Sequence, residues 1–296
     1  MVQKKQQENV INKIILGKCL DAIKQVPDGI VSLVCCSPPY LLGIDYKSHD
    51  DTGPWKAYID WLTAIWKECK RTLRTGGRLA INMATITNRE DPENEYIRVI
   101  GHYLCQQMKS IGMLPMAEIV WYKQDAAGKK TAWGSWASCS SPIIRSTHEY
   151  VYVFAKDTYR LDGDSELSDM TPEEFQNWTF STWFIPPETR KMGGHPCPFP
   201  EELVCRLVKL YSYREDVVLD PFCGSGTTPY ISDQLGRKYI GIDVDSQYVD
   251  YARDRIANND DMFSDGGEYV PRSKRLKQSK KDNNDTDLED IFEEID

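Results

Sequence analysis

The sequence has no apolar run approaching the roughly 18 residues of a membrane span, and its opening MVQKKQQENV carries charge without the apolar core of a secretory signal. Its nine cysteines are an odd number without a C-x-x-C pair, and its four histidines show no paired spacing. These absences argue against a disulfide framework and against a bound metal, and they favour reduced thiols in a cytoplasmic protein. Internal repeats are lacking too. What the chain does have is a 41% hydrophobic fraction over 296 residues, enough for a sizeable core.

Net charge is −9, which at first argues against a nucleic-acid partner. The charge is uneven, however. Residues 261–296 hold 11 acidic against 6 basic residues, leaving 34 acidic and 30 basic in the other 260. A nearly balanced body can still present a basic face, so net charge does not exclude nucleic acid. The last stretch divides into a basic block, PRSKRLKQSKK (271–281), and an acidic one, DNNDTDLEDIFEEID (282–296). Opposed blocks of this kind read as a solvated, disordered tail.

Periodicity predicts alternating strands and helices. Strands are expected at 13–17, 30–36, 78–84, 117–123, 149–156, 216–220 and 238–243. Helices are expected at 20–26, 55–73, 92–112, 200–212, 226–235 and 246–257, with TGG (75–77) stopping the second of these. IVSLVCC (30–36) is apolar on both faces, as buried parallel strands are, and EYVYVFAK (149–156) reads as an antiparallel partner of 117–123. The alternation indicates a doubly wound α/β fold. Residues 157–193, acidic and rich in Trp and Pro, lack it and read as a small insertion.

Two stretches carry chemistry. In VVLDPFCGSGTTPY (217–230) a strand ends at Asp220, a loop holds Gly224 and Gly226, and a helix starts near Thr227. Glycines there let backbone approach a ligand, and the helix start offers unpaired N–H groups. Seventeen residues after Gly226, Asp243 ends the next strand, where a carboxylate can accept from two ribose hydroxyls. Pro229 stands where G-x-G-x-x-G needs its last glycine, and no G-K-[ST] follows. The loop therefore suits a nucleoside whose other arm is not a diphosphate. S-adenosyl-L-methionine fits, with its ribose at Asp243 and its methionine end at the loop and Ser225 to Thr228.

The second stretch is VCCSPPYLLG (34–43), where Ser37, Pro38, Pro39 and Tyr40 break a buried strand. At the carboxyl end of a parallel strand, such a break sits where open α/β sheets bind ligands. Methylation of an exocyclic base amine would use it well. The amine lone pair is delocalised into the ring, so two acceptors gripping its N–H groups are needed to free it. Ser37 Oγ and the Pro38 carbonyl are such acceptors, the prolines fix their direction, and Tyr40 offers a face for a base rotated out of a duplex.

SPPY upstream with DPFCGSGTT downstream resembles the amino-methyltransferases of restriction–modification systems. The motif order is similar to their beta group. The resemblance spans most of residues 12–257 and implies a permuted Rossmann-like methyltransferase sheet, mostly parallel with one antiparallel hairpin strand. In that sheet 13–17, 30–36 and 216–220 would be the third, fourth and first strands. It implies a catalytic half (1–156), a small target-recognition insertion (157–193), a cofactor-binding half (194–260) and the tail (261–296). Site residues implied are Ser37, Pro38, Pro39 and Tyr40 for catalysis. Asp220, Phe222, Cys223, Gly224, Ser225, Gly226, Thr227, Thr228 and Asp243 are implied for cofactor binding.

GHPCPFPEELVCRLVKLYS (194–212) is similar to the segment enclosing the methionine part, GKCLDAI to the one near the adenine, and RSTHEYVYVFAK (145–156) to a late hairpin. Lys18 departs from the G-D-C-L common in the family, so Cys19 backbone or Asp21 would take over the adenine contact. The family associates S-P-P-Y with N4 of cytosine and D-P-P-Y more with N6 of adenine. The expected activity is N4-cytosine methylation of double-stranded DNA by a cytoplasmic, nucleoid-associated enzyme. N6-adenine methylation and RNA methylation on the same fold stand as alternatives. Cys197 is no carbon-5 nucleophile on this reading, because it falls in the cofactor-enclosing segment. Lys129, Lys130, Arg145, Arg190 and Lys191 are candidate phosphate or base-edge contacts, and Trp133 and Trp136 candidate wedges.

Overall fold

The computed structural model describes residues 9–258 except 42, 45–47, 49–51, 86–97, 124–133, 145 and 190–191. Eight strands make one sheet: β1 (Lys13–Leu16), β2 (Val31–Cys36), β3 (Leu73–Met83), β4 (Met113–Tyr122), β5 (His148–Lys156), β6 (Thr182–Phe184), β7 (Val217–Asp220) and β8 (Lys238–Asp243). Their order in the sheet is β1-β8-β7-β2-β3-β5-β4-β6. Only β5 runs against its neighbours, pairing antiparallel with β3 and β4, while every other pairing is parallel.

The helices are α1 (Cys19–Ala22), α2 (Trp55–Thr72), α3 (Ile100–Ser110), α4 (Pro172–Trp178), α5 (Glu201–Tyr211), α6 (Thr227–Gln234) and α7 (Ser246–Ala257). Every residue of β2 is buried, which follows from its unbroken apolar run and its place at the middle of a sheet covered on both faces. On α2 the buried positions Tyr58, Leu62, Ile65 and Cys69 recur at helical spacing and face the sheet. Residues 1–257 form a single compact unit.

Three expected boundaries move, each for a local reason. The helix expected at 92–112 begins at Ile100: Val99 is still extended (φ −82°, ψ 98°), and the Ile100 N–H donates to the Thr85 carbonyl. Residues 92–97 of that expectation lie outside the described residues. TGG does not stop α2, which ends at Thr72 because Leu73 is already extended and pairs with Val31. The glycines instead lie inside β3, where the register against β2 shifts, and a Cβ on Gly76 would lie 2.0 Å from the Arg160 carbonyl oxygen. β4 starts four residues before expected, since Pro115 sits at an irregularity where a missing N–H costs little.

Residues 157–193 do not stand apart from the sheet. β6 joins its outer edge beside β4, with Trp121 opposite Trp183, and Trp183 is buried. α4 opens with a Thr171–Glu174 capping box, and Glu174 also accepts from the buried Lys209 of α5 at 2.6 Å. Arg237 pairs with Asp169 and donates to the Ser212 and Leu235 carbonyls from a fully buried side chain. Breaking one partner of such a pair strands the other charge. Arg237→Met should therefore lower unfolding stability by about 3 kcal/mol, read as a lower denaturation midpoint with an unchanged slope.

Candidate active site

β2 and β7 are hydrogen-bonded neighbours running in parallel, with Leu33 opposite Val218 and Val34 opposite Leu219. Their carboxyl ends therefore lie side by side, and each breaks into one of the two candidate motifs. Thr228 Oγ1 donates to the Cys35 carbonyl at 3.3 Å, tying the start of α6 to the end of β2. A cavity of about 1210 Å³ opens there. Ser37, Pro38, Pro39 and Tyr40 line it, as do Asp220, Phe222, Cys223, Ser225, Thr227, Thr228 and Asp243. Gly224 and Gly226 are not among its lining residues but shape its wall.

Their shaping is steric. Gly224 is left-handed (φ +48°), and a Cβ on it would meet His195 Nε2 at 2.6 Å. Gly226 precedes α6 at φ +77° and would bring a Cβ within 2.5 Å of Ala252. Neither position tolerates a side chain, so the tight turn depends on glycine at both. The Gly224 N–H donates to Asp243 Oδ2 at 2.8 Å, and the Asp245 N–H to Asp243 Oδ1 at 2.9 Å. The carboxylate is thus oriented by backbone donors and keeps acceptor capacity for hydroxyl groups.

Burial dominates the electrostatics. Asp220, 3% exposed, is pushed up to about 7 by desolvation, although the Phe222 N–H donates to it at 3.0 Å. Asp243 is raised for the same reason, against the pull of backbone donors at Asp245, Gly224 and Val244. Both carboxylates are costly as buried anions, a cost that a cationic ligand would offset. His195 is pushed down to about 4 by burial, and so stays neutral at pH 7 against the ring of Tyr248, 5.0 Å away. The cysteines at the site are poor nucleophiles: burial raises the Cys35, Cys36 and Cys223 thiols.

At the other motif, Ser37 Oγ lies 2.6 Å from the Tyr40 hydroxyl. Asn82, at the end of β3, uses its amide nitrogen to donate to both the Tyr40 hydroxyl and Glu149 Oε2, each at 2.6 Å. Tyr40 OH also lies 3.3 Å from Glu149 Oε2. Glu149 Oε1 is paired with Lys123, whose Nζ sits 4.4 Å from the centre of the Trp121 ring. Tyr58 OH donates to the Pro39 carbonyl at 2.8 Å, fixing the proline pair from α2. Tyr40 is accordingly 9% exposed, anchored by its hydroxyl with its ring on the cavity wall.

Asn82, Lys123 and Glu149 were not among the residues singled out from sequence. Their signal there is faint: one amide inside the apolar RLAINMA, and a charge at an end of each of two apolar strands. Lys18, Cys19, Asp21 and Cys197 also line the cavity, and His148 packs edge-on to Tyr150. Of the candidate DNA contacts, Lys129, Lys130, Arg145, Arg190, Lys191 and Trp133 lie outside the described residues, while Trp136 is exposed. Among the described residues, no group of three or more His, Cys, Asp or Glu could hold a metal, and no helix is long and apolar enough to cross a membrane.

Comparison with known proteins places this geometry in a family. Residues 31–254 match the N6/N4 family described as DNA methylase. The chain is 33% identical to the type II methyltransferase M.MjaVI of Methanocaldococcus jannaschii, over 56% of this chain and 82% of that one. It is 28% identical to the DNA adenine methyltransferase YhdJ of Escherichia coli, over 81% of each. Among solved structures, the DNA modification methylase TTHA0409 of Thermus thermophilus, complexed with S-adenosyl-L-methionine, superposes with a TM-score of 0.67 at 27% identity. That match covers 83% of this chain and 93% of the other. With a family match over most of its length, on a sheet that sets SPPY beside a glycine loop, the chain belongs to the N6/N4 DNA methylase family.

Proposed function

We propose that the protein uses S-adenosyl-L-methionine to methylate the exocyclic N4 amine of a cytosine rotated out of duplex DNA at a specific sequence. The observation that carries this reading is the parallel pairing of β2 with β7, which opens both motifs into one cavity. Asp243 would hold the ribose hydroxyls, and the loop from Phe222 to Thr228 the methionine end. Asp220, an anion held above its usual range by burial, gains from a cationic neighbour. When bound, the cofactor supplies an electrophilic methyl group.

The chain's own contribution is to prepare the amine. Ser37 Oγ and the Pro38 carbonyl accept its two hydrogens, drawing the nitrogen towards tetrahedral geometry and freeing its lone pair. The Tyr40 ring supports the base by stacking. Target recognition falls to residues 124–147 and 157–193, which carry the candidate phosphate and base-edge contacts. The choice of cytosine rests on serine heading the motif. The second reading, adenine N6, is supported by the likeness to YhdJ.

Hydrolysing DNA from cells expressing the protein and weighing its nucleosides tests the activity. N4-methylcytosine is the expected product, N6-methyladenine would favour the second reading, and neither would sink both. Ser37→Ala should slow single-turnover methyl transfer by about 100-fold while cofactor affinity by calorimetry changes less than about twofold. An equal loss in both would make the motif structural.

Asp220 gives a pH test with a definite sign. Its folded pKa of about 7 lies above the usual 3.8, so the penalty of its buried charge appears as pH rises from about 4 towards 7 and above. Asp220→Asn should therefore match or exceed wild-type stability at pH 8. The same substitution should weaken cofactor binding about tenfold or more at pH 8 and flatten its loss on acidification to pH 6.

A further inference from the structure

Transfer of a methyl group to an amine leaves a proton to be removed, and neither glycine loop nor proline pair can take it. We infer that Glu149 is the terminal proton acceptor of the reaction, reached from Ser37 through the Tyr40 hydroxyl. This rests on the proposed amine methylation. The bonds balance as follows: the nitrogen lone pair forms the N–CH3 bond, and the S–CH3 bond breaks with its electrons passing to sulfur. The N–H bond breaks as Ser37 Oγ takes that proton, Ser37 gives its own to Tyr40, and Tyr40 gives its own to Glu149 Oε2.

The geometry supports each link. Ser37 Oγ and Tyr40 OH are 2.6 Å apart, and either can donate. Tyr40 OH carries one hydrogen and has three acceptors in reach, Ser37 Oγ at 2.6 Å and Glu149 Oε2 and the Asn82 carbonyl at 3.3 Å each, so a rotation about its C–O bond redirects the donor towards the carboxylate. Apo hydrogen bonds of this length commonly tighten when substrate binds. Asn82 cannot accept the proton usefully, since an amide is a very weak base. Its role is positional: both amide hydrogens are spent, one on the phenol and one on the carboxylate, holding them in reach of each other. The carboxylate beside it fixes which way the amide points, because its oxygen would be repelled there. Asn82 is 2% exposed, which holds its amide in one place behind the phenol and the carboxylate.

Lys123 pairs with Glu149 Oε1 and leaves Oε2 towards Tyr40. A carboxylate is a weak base, which suffices here. A methylated exocyclic nitrogen that has lost conjugation with its ring is a far stronger acid than a carboxylic acid, so the transfer runs downhill.

The test is a double-substitution cycle on the full chain with duplex DNA, reading single-turnover methyl transfer and, separately, cofactor affinity by calorimetry. Glu149→Gln and Tyr40→Phe should each slow transfer by about 100-fold with cofactor affinity unchanged within about twofold. The pair together should lose little more than either alone, within about threefold, because one path is cut once or twice. Glu149→Asp should recover part of the rate, as a shorter carboxylate still accepts a proton. Losses that multiply in the pair, or a Glu149→Gln rate equal to wild type, would overturn the inference. Should Glu149→Gln fail to bind cofactor, Tyr40→Phe, which leaves the Glu149–Lys123 pair in place, decides: a wild-type rate refutes the relay, and a 100-fold loss upholds it. Wild-type protein that methylates no DNA would instead remove the underlying activity, a separate result.

Discussion

Everything in the site depends on one backbone pairing, that of β2 with β7. Two parallel strands, each buried, come from opposite ends of the chain and lie in register at Val34 and Leu219. Parallel neighbours end on the same side of the sheet, so two abrupt exits, one into prolines and one into glycines, share one space. Neither exit has the chemistry alone. The proline exit has acceptors and a phenol, and the glycine exit has the reluctant anions Asp220 and Asp243.

Around that pairing, two groups of buried polar side chains stand out. One is the cavity, where Asp220, Asp243 and neutral His195 sit behind the glycine loop, and Asn82 binds Tyr40 to Glu149. The other is the seam where residues 157–193 meet α5 and the turn before β8, held by Lys209–Glu174 and Arg237–Asp169. The first group prepares charge for a ligand. The second fastens an edge that carries too few apolar residues to fasten itself, since Phe175, Phe180 and Phe184 all face outward.

Most of the sheet is legible in sequence because its central strands are nearly continuous apolar runs, and these have no alternative use. The glycine loop is legible because its three neighbours, Asp220, Gly224 and Asp243, obey strand-end spacing. Failures occur where backbone context overrides residue type. TGG reads as a helix stop but makes an irregularity inside β3, and Pro115 hides the start of β4. The three-residue β6 is too short to leave a periodic signal. Asn82 and Glu149 are invisible for a different reason: 67 residues apart, they meet only because β5 runs antiparallel beside β3, a register no local pattern encodes.

The adjacency of β1 and β8 sets the timing of assembly. Lys13 pairs with Ile240, and Val34 with Leu219, so half of the sheet is closed by contacts spanning nearly two hundred residues or more. Such contacts carry the full loop-closure cost before they return any stability, and folding slows accordingly. On the ribosome, β1 and β2 emerge early, with β2's apolar surface uncovered on one side until β7 follows. β1 must wait for β8, in the last fifth of the chain, before it has a neighbour, a long exposure during which a chaperone would find it.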